Sequence, residues 1–294
     1  MNESAWLAEQ FEQNRGRLRG VAYRMLGSLS EADDAVQEAW LRLSRSDESS
    51  IENLGGWLTT VVARVCLDML RSRNSRREDP IGEEVQEPIL SRTSGSDPEQ
   101  EAIMADAVGN ALLVVLERLT PAERIAFVLH DMFALPFEEI APILGRTPVA
   151  ARQVASRARR RVQGVSAVRE GDLAEQREAA KAFLDALRAG DVEGLVAVLD
   201  PDVVVRLDSA AARPGGPREL RGARNWASGA VAYASIVKFV HPALVNGSVG
   251  LVWAPRGRLQ RVLTFGMRGG KIAEVDIIAD RTRLDQLDLA VLDA

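Results

Sequence analysis

The sequence predicts a multidomain chain: two all-α domains, the second containing a helix-turn-helix, followed by an α+β domain with an antiparallel sheet. Three observations carry this. Residues 1–77 and about 98–168 repeat apolar residues at helical spacing on either side of an acidic, proline-broken stretch. The segment Phe137–Val162 holds two short helical patterns punctuated by Gly145, Thr147 and Pro148. Beyond Gly171 the pattern turns to strand-like runs, two of them joined by Arg268-Gly269-Gly270.

The first domain is placed at 1–77. Ser30 is the expected N-cap of a helix over 31–43, with Glu31, Asp33 and Asp34 set to meet its positive end. Val36, Trp40 and Leu43 recur at helical spacing and belong to a core. That leaves Asp34, Gln37, Glu38 and Leu41 facing outward. A further helix is predicted from Asn53 to Ser72, with Leu58, Val61, Val62, Val65 and Leu70 as its apolar stripe. Arg64, Arg71, Arg73, Arg76 and Arg77 lie on it or just past its end.

Residues 78–101 read as an acidic linker. From 78 to 107 there are nine carboxylates against one base, Arg92, and Pro80, Pro88 and Pro98 break regular structure. The second helical domain follows at 102–168. After a short Gly/Asp break comes the third domain, 172–294. Its predicted elements are helices at Leu173–Ala189, Val192–Leu199 and Ala223–Ala234, and strands at Val203–Leu207, Ser235–Val245, Ser248–Ala254, Arg258–Met267 and Lys271–Ile278.

Composition excludes several function classes. The net charge of −5 rules out a chain that is basic throughout, but not a local basic patch. One cysteine, Cys66, permits no internal disulfide and no cysteine-rich zinc site, and two histidines are too few for a histidine-rich one. No metal and no cofactor is expected. The N-terminus lacks a basic-then-apolar signal layout, and the longest uncharged stretch, Phe239–Pro255, contains Pro242, Asn246 and Gly247. The reading is a cytoplasmic protein with no membrane partner.

The helix-turn-helix is the most informative local feature. Phe137, Ile140, Ile143 and Leu144 form one apolar face, and Gly145 supplies the left-handed residue that ends the helix. Thr147 caps the next helix and Pro148 suits its first position. On that helix Ala151, Val154, Ala155, Ala158 and Val162 fall on one side, with Arg152, Gln153, Ser156, Arg159 and Arg160 opposite and Arg157 flanking. Thr147–Arg161 contains five arginines and no carboxylate, so intrahelix ion pairs do not account for them. Arginine and glutamine on an open helix face suit base edges and phosphates in a major groove.

Two segments in this order resemble a known family. EADDAVQEAWLRL (31–43) with GWLTTVVARVCLDMLRSRNSRR (56–77) resembles domain 2 of the extracytoplasmic-function RNA polymerase sigma factors of the sigma-70 class. LTPAERIAFVLHDMFALPFEEIAPILGRTPVAARQVASRARRRV (119–162) resembles their domain 4. The remainder is similar to a SnoaL-like domain, a cone-shaped α+β fold carried by the SigJ-like subgroup in place of a separate anti-sigma partner. Motifs of that subgroup survive in part: EVQEP (84–88) keeps Glu87 and Pro88, DSAAA (208–212) keeps Asp208, and ADRTRL (279–284) stands near the end.

The resemblance implies a sigma factor that brings core RNA polymerase to promoter DNA, with activity modulated in cis by the third domain, and no catalysis. It implies docking of Asp34, Gln37, Glu38 and Leu41 on the β′ coiled coil. It implies minus-ten recognition by Asn53 and Trp57, with Arg64, Arg71, Arg73, Arg76 and Arg77 on phosphates, and minus-thirty-five recognition by Arg152, Gln153, Ser156, Arg157 and Arg160. The acidic linker is expected to run through polymerase channels that otherwise carry nucleic acid. The rival readings are a one-component helix-turn-helix regulator with a ligand-sensing C-terminal domain, and a DNA-tethered SnoaL-like enzyme. A concave fold can hold a small ligand, for which His241 and Asp276 are the titratable pocket candidates. Period-two alternation puts Glu274 and Asp276 on one strand face.

Overall fold

The computed structural model describes residues 3–46, 51, 53–78, 109–164, 170–212, 214–255 and 258–292. They fall into two compact units, one drawn from Met1–Gly109 and Leu119–Ala158, the other from Asn110–Arg118 and Arg159–Ala294. The linker beyond Glu78, with Glu87 and Pro88, lies outside the described residues.

The first unit opens with three helices, α1 (Glu3–Leu26), α2 (Leu29–Leu43) and α3 (Leu54–Glu78), which pack on one another. Their core is Phe11, Leu18, Val21, Met25, Val36, Leu43, Leu58, Val62 and Cys66. Trp40 is half-buried, with its ring 5.0 Å from that of Phe11. The cap of α2 is Ser28, not Ser30: the Ser28 hydroxyl accepts from Glu31 N–H at 3.4 Å, and Ser30 Oγ lies 3.0 Å from it. Two serines both satisfy the cap preference, and the chain turn at Gly27 (φ 71°) selects the earlier one.

The second helical domain is described from α4 (Gly109–Glu117), followed by α5 (Pro121–Phe127), a π-helical turn (Val128–Met132), α6 (Phe137–Leu144) and α7 (Pro148–Gln163). A capping box starts α5, with Thr120 and Glu123 bonding each other's backbone N–H groups. Within the first unit α5 and α6 pack on α3, and the π-helical turn packs on α1. Asn110–Arg118 and the last turn of α7 group with the third domain. There Arg118 donates to the Leu284 carbonyl at 2.6 Å, and the Val162 carbonyl accepts from Val291 N–H at 2.8 Å.

The second unit packs a long helix, α8 (Glu170–Ala189), with α9 (Val192–Val198) and α10 (Ala223–Ala230) on one seven-stranded sheet. Its strands are β1 (Leu199–Leu207), β2 (Glu219–Arg221), β3 (Val240–Val245), β4 (Ser248–Trp253), β5 (Arg261–Arg268), β6 (Lys271–Ile278) and β7 (Leu289–Ala290), in the order β2-β1-β6-β5-β4-β3-β7. A short helix, α11 (Arg281–Gln286), follows β6. The core gathers Phe183, Leu184 and Leu187 of α8, Trp226 of α10, and Val203, Val205, Leu251, Ile272 and Val275 of the sheet. Phe183 stacks on Trp226 with centroids 5.3 Å apart.

The α+β class is as expected, with one refinement. The sheet is antiparallel except that β1 runs parallel to β6. Asn246-Gly247 and Gly269-Gly270, all at positive φ, make tight hairpins and force antiparallel neighbours. β1 reaches β6 across most of the domain, so no hairpin dictates its direction. The apolar run before β3 also differs from expectation: Val231–Phe239 is a 3-10 helix, and the strand begins only at Val240.

Candidate nucleic-acid interface

Helix α7 starts where its cap signals put it. Gly145 is left-handed (φ 65°), and Thr147 Oγ1 accepts from Ala150 N–H at 3.3 Å. Ala151, Val154, Ala155, Ala158 and Val162 are buried, all at 6% exposure or less. Arg152, Gln153, Ser156, Arg157 and Arg160 are exposed. The helix thus divides along its length into a small-residue packing side and a side of donors suited to base edges and phosphates.

Arg152 is braced, a feature missed by sequence periodicity. Its guanidinium lies over the Phe137 ring, 5.2 Å from the centroid. The Phe137 ring in turn sits 4.0 Å from that of His130, whose Nδ1 donates to the Leu135 carbonyl at 2.9 Å. The π-helical turn that carries His130 so positions the platform under an arginine on the next element but one. Phe137 reads in the sequence only as the first core residue of α6.

A second stripe runs along α3. Trp57 is half-buried, while Arg64 and Arg71 are exposed, and the spacing of seven puts all three on one side at intervals of about 10.5 Å. Asn53 caps this helix, its Oδ1 accepting from Gly56 N–H at 3.0 Å. Arg73 departs from the expectation of a phosphate contact. It is half-buried, its Nη1 donates to the Leu26 carbonyl at 3.1 Å, and its Nε and Nη2 grip the Glu31 carboxylate. A carboxylate within reach and a loss of hydration commit that guanidinium to joining α3 with the start of α2. The side chains of Arg76 and Arg77 lie outside the described residues.

On α2, Asp34, Gln37 and Leu41 are exposed and Glu38 is half-exposed, all on one side. Glu38 pairs with Arg42 at 2.8 Å, and Leu41 is among the exposed large apolar residues at 39%. A carboxylate–amide stripe centred on an exposed leucine suits a basic helix with an apolar contact point.

The third domain offers no comparable cluster among its described residues. By strand register His241 shares a row with Val252, Val262 and Ile278, on the sheet face opposite the α8 core. Asp276 is on the same face but three strands away, about 14 Å, beside Arg206 at 3.7 Å. The structure does not bring the two pocket candidates together. Burial, with Arg188 adding, pushes the His241 imidazole down to about 4, and its Nε2 is buried without a hydrogen-bond partner. Glu274 and Asp276 both face Arg206 in an exposed ion-pair group. Among the described residues no group of three or more His, Cys, Asp or Glu could hold a metal, and no helix is long and apolar enough to cross a membrane.

Asp208 has a structural task. Its carboxylate accepts from the N–H groups of Ala210, Ala211, Ala279 and Asp280 at 2.9–3.1 Å, and Arg283 lies 3.6 Å away. Burial works against the charged form, but these donors outweigh it and hold the carboxyl below its usual range. The two motif remnants DSAAA and ADRTRL thus meet through one carboxylate.

A capped helix-turn-helix with a basic open face, preceded by a three-helix domain bearing an aromatic–arginine stripe, defines a promoter-binding protein of the sigma-70 class. The family models for sigma-70 region 2 and sigma-70 region 4 match residues 10–76 and 109–162. The chain belongs to the extracytoplasmic-function RNA polymerase sigma factors. It is 38% identical to the sigma factor SigJ of Mycobacterium tuberculosis strain H37Rv over 92% of this chain and 91% of that protein. It is 34% identical to the probable sigma factor SigI of the same species, covering 97% of this chain and 95% of that one. The crystal structure of SigJ matches at 35% identity over 94% of this chain and 98% of the other, with a TM-score of 0.46. As a sigma factor its partners are core RNA polymerase and promoter DNA.

Proposed function

We propose that α7 reads the minus-thirty-five element through Arg152, Gln153, Ser156, Arg157 and Arg160. The observation that carries this is the clean division of α7 into a buried alanine–valine side and an exposed arginine–glutamine–serine side. The α3 stripe, with Asn53 and Trp57 near its start and Arg64 and Arg71 along it, serves the minus-ten element. Unstacking a base there costs a few kcal/mol, which stacking on Trp57 offsets. Asp34, Gln37, Glu38 and Leu41 dock on the β′ coiled coil. The protein works in the cytoplasm and carries out no reaction of its own.

We further propose regulation in cis, supported by packing within the first unit. The two promoter elements lie about 85 Å apart on duplex DNA, from 25 base pairs at roughly 3.4 Å each. A unit of about 120 residues has a radius of gyration near 14 Å. The first unit holds α3 against α5 and α6, so regions 2 and 4 must part before both elements are engaged. The third domain, at 172–294, governs that step. Run-off transcription with core polymerase tests this directly: full-length chain and a chain ending at residue 171 should differ in output. Equal output sinks regulation in cis. Sequence-specific duplex binding by the protein alone, without polymerase, would instead favour an autonomous helix-turn-helix regulator.

A further inference from the structure

Among the described residues three large apolar side chains are exposed, Leu41, Val149 and Tyr233, and Val149 is the most exposed at 64%. Its position on α7 is specific. At 100° per residue, Arg152, Gln153, Ser156 and Arg160 all fall within about 60° of Val149. The buried residues Ala151, Val154, Ala155, Ala158 and Val162 lie on the far side. Val149 therefore points away from the packed face and sits in the middle of the open one, in the first turn of the helix. It cannot reach the core without turning the whole helix over.

An isolated exposed valine needs no explanation on an ordinary surface. This one stands at the centre of the only stripe on α7 that can meet DNA, and at its N-terminal end, the part of a recognition helix that approaches base edges. Four polar neighbours at the helix-face spacing supply hydrogen bonds; Val149 supplies none. In the major groove the one apolar group that a base pair presents is the thymine C5-methyl. We infer that Val149 is a specificity-determining residue that selects a thymine in the minus-thirty-five element by contact with its methyl group. This rests on the promoter-reading role of α7. Arg152, held on Phe137, stands on the next turn and fixes the helix to the neighbouring base or phosphate.

The test uses holoenzyme assembled from the full chain and core RNA polymerase. Duplexes randomised across the minus-thirty-five region are selected in parallel with wild type and Val149→Ala, a variant whose exposed site leaves the fold intact, checked by its melting temperature. The wild-type pool should carry thymine, on one strand, at a position where the Val149→Ala pool loses its preference, with the other preferences retained. In that selected duplex, deoxyuridine in place of the thymine should lower wild-type retention about fourfold, one methyl contact's worth. Val149→Ala retention should not change. Identical base preferences in the two pools, or an equal deoxyuridine effect on both proteins, overturns the inference. Enrichment by neither protein overturns the promoter-reading role of α7 on which it stands.

Discussion

Arg124 donates from Nη1 to the Met25 carbonyl at 2.9 Å, in a contact buried from solvent. The donor is in the segment matching sigma-70 region 4 and the acceptor ends α1, in the segment matching region 2. One guanidinium thus occupies an orphan carbonyl at the C-terminal end of a helix in the other region. Nearby, the Arg24 guanidinium lies over the Phe133 ring at 5.5 Å. These two contacts hold the two regions together.

Arg124→Leu should therefore have two effects. Losing a charged donor to a buried carbonyl costs about 2 kcal/mol, read as a lower midpoint in urea unfolding. Run-off transcription with core polymerase should rise, because parting the two regions becomes easier. A destabilised variant with unchanged or lower output would mean that the contact stabilises the fold without restraining activity.

On α7, Arg152→Ala should weaken retention of a selected promoter by holoenzyme about tenfold, in the range for a base or phosphate contact of 1–3 kcal/mol. Phe137→Leu keeps the core apolar but removes the ring under the guanidinium. Its expected loss is about two- to fivefold. If Phe137→Leu retains full promoter affinity, the ring is core and nothing more.

Arginines on α3 should separate by salt dependence. Arg64→Ala and Arg71→Ala should each reduce the slope of log K against log salt by about 0.9 where the contact is to duplex phosphate. Arg73→Ala should leave the slope alone and lower the melting temperature, since its guanidinium is bonded to Glu31 and the Leu26 carbonyl. A slope change at Arg73 equal to that at Arg64 would reverse the assignment.

Gly164 follows α7 at φ 63°, and a Cβ there would clash with Ala290 Cβ. Gly190 has nearly the same φ, 66°, with nothing within 4 Å. Gly190→Ala should cost about 1 kcal/mol from backbone conformation alone. Gly164→Ala should cost clearly more in denaturant unfolding, because β7 must also move. Equal costs would show that the end of α7 is not gripped by the C-terminal strand.

His241 should make stability pH-dependent. Its folded value of about 4 lies below the ordinary 6.5, so the unfolded chain takes up the proton first as pH falls. The neutral ring's contribution is complete above about pH 6.5 and is lost progressively toward pH 4. Wild type should lose several degrees of melting temperature between pH 7 and pH 5, and His241→Gln distinctly less. Parallel profiles for the two proteins would remove His241 as the cause.

Much of the interface was legible because its signals are local. Gly145, Thr147 and Pro148 mark the helix-turn-helix by backbone chemistry, and the 3.6-residue period then sorts α7 into two sides. The same period put Asp34, Gln37, Glu38 and Leu41 on the outside of α2. The bond from Arg73 to Glu31 was not legible, because an arginine's partner can be 42 residues away and no periodicity reports it. His241 and Asp276 looked comparable as lone titratable groups on strands. Only strand order put two strands, β4 and β5, between them.

By itself, then, the sequence determined the helices, the cap of α7, the basic face that α7 presents and the α+β character of the third domain. These depend on propensity, capping and period, which act over a few residues. Tertiary structure decided what depends on distant partners: the parallel pairing of β1 with β6, the buried bond from Arg124 to Met25, and the assignment of Arg73 to Glu31. It also assigned Asp208 to a loop staple. Each of these is a pairing of groups far apart in sequence, chosen by which buried donors and acceptors the folded chain brings within 3 Å or so of one another.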